Sequence, residues 1–244
     1  MIAALGMYDR PETSAANDAL WSAIRSELGQ GPEHLDRNAD PWDIWQNPDM
    51  LLSQTCGMPY RTRLYGSVQL VGTPDYGIRG CQPGYYNTVF VTRKGESNRI
   101  EDYQERIFAY NDPVSQSGWA AAQNHAHSLG FTFQNLMKSG AHRQSAQSVA
   151  DARADIAALD AVTWRLMLQY DGFVGDLQVI ESTPPTPGLP LITAQKFDPV
   201  RLRNAIAEAI QALSPDHMRV LGIKSIIAIP AQAYLDVPIP AGPM

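Results

Sequence analysis

The chain has 244 residues, of which 44% are hydrophobic and 18% are charged, and its net charge is −6 at pH 7. These proportions are typical of a globular protein, and the length suits one large domain or two lobes of about 100–150 residues each. The acidic balance and the scattered basic residues exclude a nucleic-acid-binding function, and no apolar run approaches the roughly 18 residues of a membrane-spanning helix.

Predicted strands and helices alternate along the chain. Leu20, Ile24 and Leu28 recur at helical spacing and predict a helix over 14–28. Apolar or β-branched runs predict strands at 2–7, 51–54, 68–71, 86–92, 107–110, 155–159, 177–181 and 191–194. Further helices are predicted at 117–129, 144–154, 161–169 and 199–213. Gly72-Thr73-Pro74 is expected to stop the strand at 68–71, and the proline-rich tail from Pro230 is expected to loop over the surface.

This alternation predicts an α/β protein with two lobes, each a mostly parallel sheet flanked by helices. Two interruptions divide the pattern, at 81–85 and at 183–190, and the second holds four prolines, which exclude a helix or a central strand. We therefore expect a discontinuous first lobe of 1–86 and 185–244. The second lobe, 87–184, is expected to be inserted into it through a two-segment hinge.

The segment 111–119 carries the most specific functional signal. It joins a predicted strand to a predicted helix, and it contains Ser115, Ser117 and Gly118. The first N–H groups of a helix lack partners within the helix and carry partial positive charge, so such a turn can bind an anion. The alternative is that one of the two serines simply caps the helix.

Other polar and aromatic residues also follow predicted strands. Ligands bind outside the carboxyl ends of the strands in open α/β sheets, so these residues are candidates for one cleft that closes around a ligand. They are Tyr8, Asp9, Thr55, Gly57, Tyr60, His142 and Asp160.

The four segments 5–13, 55–60, 111–119 and 139–160 resemble, in order and content, the phosphate/phosphonate-type substrate-binding proteins of ABC transporters. The resemblance implies the type 2 periplasmic binding protein fold. It also implies that Ser115, Gln116, Ser117 and the N–H of Gly118 bind the anionic group, and that Tyr8 packs on the ligand. The Gly-Ser-His turn of the family is matched by Gly140-Ala141-His142, with alanine in place of serine.

The function that follows is capture of a small anionic or zwitterionic ligand for a transporter permease, without turnover, cofactor or metal. An enzyme of cofactor biosynthesis on the same fold and a ligand-sensing module stay open as alternatives. No recognisable leader opens the chain, so two locations also stay open: the periplasm, if a leader has been removed, and otherwise the cytoplasm.

Three further expectations concern single residues. Asp9 and Asp160 would repel a bare dianion, which favours a zwitterion such as an amino-phosphonate. Trp42, with Tyr8 and Tyr60, is a candidate for an aromatic wall beside the ligand. Cys56 and Cys81 are expected to lie close enough to form a disulfide.

Overall fold

A computed structural model describes residues 1–243, and the chain divides into two compact units. The first unit comprises Met1–Tyr85 and Pro187–Leu235, and the second comprises Tyr86–Thr186 together with the tail from Asp236. The tail was expected in the first lobe. It belongs to the second unit because its backbone carbonyls accept hydrogen bonds from that unit, from Trp119 Nε1 to Ala241 at 3.1 Å and from Asn124 Nδ2 to Pro238 at 2.9 Å.

The regular elements lie close to the predicted ones. The strands are β1 (Ile2–Ala4), β2 (Met50–Gln54), β3 (Val68–Asp75), β4 (Tyr85–Tyr86), β5 (Thr88–Arg93), β6 (Phe108–Tyr110), β7 (Leu136–Lys138), β8 (Ile156–Asp160), β9 (Leu177–Ser182), β10 (Thr186–Pro187), β11 (Leu191–Ala194) and β12 (Ser225–Ile227). The α-helices are α1 (Ser14–Leu28), α2 (Pro41–Trp45), α3 (Gly57–Pro59), α4 (Ala121–Ser128), α5 (His142–Ala150), α6 (Ala161–Tyr170), α7 (Pro199–Ala212), α8 (Pro215–Leu221) and α9 (Ala231–Leu235). Short 3₁₀ helices span Gly6–Tyr8, Ile100–Tyr103 and Gly172–Asp176, and π-helical turns span Tyr60–Leu64 and Gln116–Ala120.

The first unit is built on a five-stranded sheet of order β1-β2-β11-β3-β12. Two hydrophobic clusters form its core: one includes Trp21 and Ile24 of α1 with Ile206 of α7, and the other includes Tyr60 and Tyr234. The apolar residues at helical spacing in α1 and α7 are therefore buried in the core, as the sequence pattern predicts.

The second unit is built on a sheet of order β7-β6-β8-β5-β9. Strand β6 is parallel to β7 and β8, whereas β5 is antiparallel to β8 and β9. In the first unit β11 is likewise antiparallel to both of its neighbours. Strand β12 is antiparallel to β3 as well. Both sheets are thus mixed: β5 in the second unit, and β11 and β12 in the first, run against the strands beside them.

Strand β3 continues through the residues that were expected to stop it. Strand β11 pairs with β3 only as far as Gly72, and β12 takes over the pairing from Thr73 to Asp75. Pro74 lies beyond the end of β11, where a missing backbone N–H is tolerated because β3 has a neighbour on one side only.

The expectation of a surface loop from Pro230 is wrong for Ala231–Leu235, which form α9. Tyr234 anchors this helix: its side chain is 1% exposed, and its hydroxyl bonds Thr73 and the carbonyl of Gly188. Cys56 and Cys81 are not joined to each other, and the close approach expected of them stays a prediction. Within residues 1–243, no helix has both the length and the apolar character needed to cross a bilayer.

Candidate functional site

The turn after β6 in the second unit leads into a helix that is capped at its N-terminus. Ser115 is the N-cap, and its Oγ accepts a hydrogen bond from the N–H of Gly118 at 3.0 Å. The capping alternative therefore describes Ser115, and the Gly118 N–H that was expected to bind an anion already has a partner within the turn. The Ser115 hydroxyl proton is not used by this bond, because the oxygen acts here as the acceptor.

The π-helical geometry of this turn leaves more backbone N–H groups without a helical partner than an α-helix would. The first i→i+5 bond runs from Ala120 N–H to the carbonyl of Ser115 at 3.0 Å. The N–H groups of Ser117 and Trp119 come before that bond, and in the described part of the chain neither donates to a backbone carbonyl outside the helix. The helix continues into α4, so its dipole adds partial positive charge at these groups.

Ser117 and His142 are brought together by the parallel strands β6 and β7, which precede them in the chain. His142 is the first residue of α5, and its Nε2 lies 2.9 Å from the Oγ of Ser117. Burial lowers the pKa of His142 from its ordinary 6.5 to about 4, and the backbone carbonyl of Ala158 opposes this shift in part. The ring is therefore neutral at pH 7.

Gly118 allows the turn and the histidine ring to approach each other. A Cβ atom at this position would lie 1.9 Å from Oδ1 of Asn111 and 3.1 Å from Cε1 of His142. Asn111 follows β6 directly, and its Oδ1 is shielded from solvent without a hydrogen-bond partner in the described structure. Asn111 was not singled out from the sequence, and its only signal was its place at the end of a strand.

Asp160 has a structural role that the sequence did not assign to it. It ends β8 and caps α6, where its Oδ1 accepts hydrogen bonds from the N–H groups of Val162 at 2.7 Å and Thr163 at 3.0 Å. The carboxylate is buried, and the helix dipole favours its negative charge at this position. A role in binding a ligand ammonium group stays a prediction.

In the first unit, Asp9 is engaged by other side chains. Its Oδ1 accepts from Asn17 at 2.8 Å, and its Oδ2 forms an ion pair with Arg37 at 2.6 Å. The hydrogen bond to Asp9 is the largest cause that raises the pKa of Arg37. Tyr8 packs edge-to-face against Tyr76, with 5.0 Å between ring centroids.

The residues after β2 occupy a second strand-end turn, which includes α3 and the π-turn Tyr60–Leu64. Thr55 is fully buried, and its Oγ1 has no partner in the described structure. Gly57 opens α3. Tyr60 is only 2% exposed and packs edge-to-face against Tyr234 at 5.4 Å, and burial raises its pKa to about 12. Tyr60 is thus part of the core of the first unit.

Two further candidate residues, Trp42 in the first unit and Gln116 in the second, are packed against the protein. Trp42 packs edge-to-face on Trp45 at 5.0 Å, and the guanidinium of Arg63 lies 4.9 Å from its ring centroid. Gln116, which precedes Ser117, is 2% exposed. Among residues 1–243 no group of three or more His, Cys, Asp or Glu side chains is arranged to hold a metal ion.

The mixed α/β units and the strand-end turns define a substrate-binding protein of the periplasmic type. The family model described as "ABC transporter, phosphonate, periplasmic substrate-binding protein" matches residues 53–234, and the chain belongs to this family. It is a family of transporter binding proteins, not of enzymes, and its members bind a small ligand and work with a transporter permease.

Solved structures share the fold at low sequence identity. PhnD1 from Prochlorococcus marinus, solved in complex with methylphosphonate, is 14% identical with a TM-score of 0.73, covering 96% of this chain and 94% of its own. A binding protein component of an ABC phosphonate transporter from Pseudomonas aeruginosa is 18% identical with a TM-score of 0.66, covering 90% and 78%. No curated protein sequence matches the chain.

The fold also occurs in a histidine kinase sensor domain with similarity to periplasmic binding proteins, which is 13% identical with a TM-score of 0.62, covering 92% of this chain and 97% of its own. The periplasmic VFT2 domain of BvgS from Bordetella pertussis is 12% identical with a TM-score of 0.59, and the match covers 91% of each chain. This likeness concerns the fold alone, whereas the family model identifies the transporter class. The transport function is therefore the one that the sequence family supports.

Proposed function

We propose that this protein captures a small oxyanion of the phosphonate or phosphate class in the periplasm and delivers it to an ABC transporter permease. The anion is held by the turn after β6, through the hydroxyls of Ser115 and Ser117 and the N–H groups of Ser117 and Trp119. The observation that carries the proposal is the 2.9 Å contact between Ser117 and His142 in a buried turn at the start of a helix.

Methylphosphonate is the probe for this proposal, because a similar protein of the same fold was solved with it. Isothermal calorimetry should show saturable 1:1 binding. Ser117→Ala should weaken binding by tenfold or more, since a hydrogen bond to a charged group contributes about 1.5–3 kcal/mol. Ser128→Ala is the matched control, because Ser128 lies at the far end of α4 and bonds only the carbonyl of His125. Equal affinities for the wild type and Ser117→Ala would rule out this anion site.

A zwitterionic ligand remains within the proposal, as an amino-phosphonate whose ammonium group is held by a carboxylate. Asp9 is less suited to this task than the sequence suggested, because Asn17 and Arg37 already engage both of its oxygens. Asp160→Asn should weaken 2-aminoethylphosphonate and leave methylphosphonate unchanged. A similar effect on both ligands would assign Asp160 to the fold and not to ligand choice.

The periplasmic location is tested by fractionating cells that express the full-length gene. Recovery in the periplasmic fraction supports transport, and recovery in the cytoplasm would favour the cytoplasmic alternative.

A further inference from the structure

The sheet of the first unit has an open cavity at its edge. Strand β12 pairs with β3 only from Thr73 to Asp75, and the chain after Ile227 leaves the sheet and leads to α9. No strand of the described chain therefore pairs with residues 70–72 of β3 on the β12 side. The gap has a volume of about 430 Å³, within the range of about 300–1,000 Å³ that is common among ligand pockets.

The walls of this cavity are mostly apolar. Strand β3 contributes residues 70–72, and the chain after β12 contributes residues 228–231. Tyr60 and Ile229 belong to one core cluster of the unit and Val71 belongs to the other, so the cavity lies at the sheet edge between the two clusters. Because β12 pairs with β3 at one end of the gap, the space suits a compact molecule with an apolar body and not a further strand.

Arg203 of α7 supplies a positive charge in the cavity. The side chain is half-buried, and its guanidinium forms no ion pair or hydrogen bond within residues 1–243. Its own helix offers no acidic partner, because the positions three and four residues away hold Pro199, Val200, Ile206 and Ala207. A half-buried cation of this kind is available to an anion that enters the cavity.

The chemistry of the cavity favours a carboxylate. The planar guanidinium of an arginine pairs with a carboxylate through two parallel hydrogen bonds, and one cation balances its single charge. Tyr60 also lines the cavity, and burial raises its pKa to about 12, so the phenol keeps its proton at neutral pH and can donate it. A dianion would leave one charge unbalanced against apolar walls, which is unfavourable.

We propose that this cavity is a second ligand site, which binds a small monocarboxylate with an apolar body. The Arg203 guanidinium binds the carboxylate, and the Tyr60 hydroxyl donates to it. The apolar body packs on residues 70–72 and 228–231. All of these residues belong to the first unit, whereas the turn after β6 belongs to the second, so this site does not depend on the proposed anion site.

The first experiment compares hexanoate with its uncharged amide, hexanamide, by calorimetry. We expect hexanoate to bind the wild type saturably and at least tenfold more tightly than hexanamide, because only the carboxylate pairs with the guanidinium. Ser117→Ala should bind hexanoate as the wild type does. The proposal is overturned if hexanoate does not bind, if the two probes bind equally, or if Ser117→Ala weakens hexanoate.

The second experiment locates the ligand with two variants. Arg203→Gln should weaken hexanoate binding at least tenfold, and Arg219→Gln is the matched control, because Arg219 lies on α8 and pairs with Asp216 at 2.7 Å. Ala228→Leu fills the cavity from an exposed position and should also weaken hexanoate at least tenfold, without removing a charge. Thermal unfolding checks that each variant is folded. Wild-type affinity for hexanoate in either folded variant would contradict the proposed site.

Discussion

Gly118 marks the point where residue identity in the site is most constrained. The space for its Cβ is filled by Asn111 and by the His142 ring. Gly118→Ala forces the turn, Asn111 or the ring to move, and overpacking of this kind costs about 1–3 kcal/mol. We expect the variant to be destabilised by that amount in urea unfolding and to bind methylphosphonate at least tenfold more weakly.

Gly172→Ala is the control for this substitution. Gly172 lies in the same unit, a Cβ atom added to it would have no neighbour within 4 Å, and its φ is not positive. Its variant should match the wild type in both assays. If the Gly118→Ala protein had wild-type stability and affinity, the close approach of the turn and the His142 ring would contribute to neither folding nor binding.

The buried histidine makes stability depend on pH. The pKa of His142 is about 4 in the folded protein and 6.5 ordinarily, so the unfolded chain binds more protons between these values. Stability is therefore highest above pH 6.5 and is lost as the pH falls toward 4, by roughly 3 kcal/mol at most.

Urea unfolding at pH 7 and pH 4.5 tests this dependence. His142→Gln should lose less stability between the two values than the wild type, because the group that titrates has been removed. His217→Gln, at an α8 position remote in sequence from the site, should behave as the wild type. The same loss in all three proteins would assign the acid sensitivity to other groups.

Residue types at strand ends could be predicted from sequence, but their partners could not. Ser117 and His142 were both expected at the carboxyl ends of strands, and the parallel pair β6 and β7 brings them into contact. Asp9 was expected to face a ligand, yet Arg37, 28 residues later, engages it. Pairings of this kind depend on how loops fold back, which no local spacing records.

At the scale of elements, Asp160 joins β8 to α6. Two substitutions distinguish its role as the N-cap of α6 from a role in ligand binding. Asp160→Ala removes the acceptor for two N–H groups and should cost about 0.5–2 kcal/mol of stability. Asp160→Asn keeps a capping oxygen and should stay near the wild type in thermal unfolding. Equal destabilisation by both substitutions would show that the charge, and not the cap, is what the fold requires.

Helices with a long apolar stripe were predicted almost to the residue, because burial of one face enforces their spacing. The helix α1 has the predicted bounds Ser14–Leu28, and α7 ends one residue before the prediction. The short helix α9 was missed because a single buried tyrosine holds it, and five residues show no periodicity. The π-turn at Gln116–Ala120 overlaps the start of a predicted ordinary helix, since the composition of a segment does not distinguish i→i+5 from i→i+4 bonds.

At the scale of the whole chain, the division into two units follows from where the strand and helix pattern is interrupted. The tail was the exception, and the reason is chemical. Its contacts with the second unit include backbone carbonyls at Pro238 and Ala241. Every residue has such a carbonyl, so the tail sequence gives no signal of its destination. The informative residue is instead Trp119, a buried indole whose N–H needs an acceptor.

The tail should therefore stabilise the helix that carries the proposed anion site. Deleting residues 236–244 removes the acceptor of the Trp119 indole, which is 2% exposed, and a buried donor without a partner costs about 1–3 kcal/mol. We expect that loss in urea unfolding, together with weaker methylphosphonate binding. Ile239→Ala is the control, because this side chain is 57% exposed and the two contacts use backbone atoms of other residues.

A double-mutant cycle identifies the indole as the cause. Trp119→Phe removes the donor, so deletion of the tail should cost less in that background than in the wild type. Fully additive effects of Trp119→Phe and the deletion would mean that the tail acts through another contact. A deletion that changes neither stability nor binding would mean that the tail contributes nothing to the second unit.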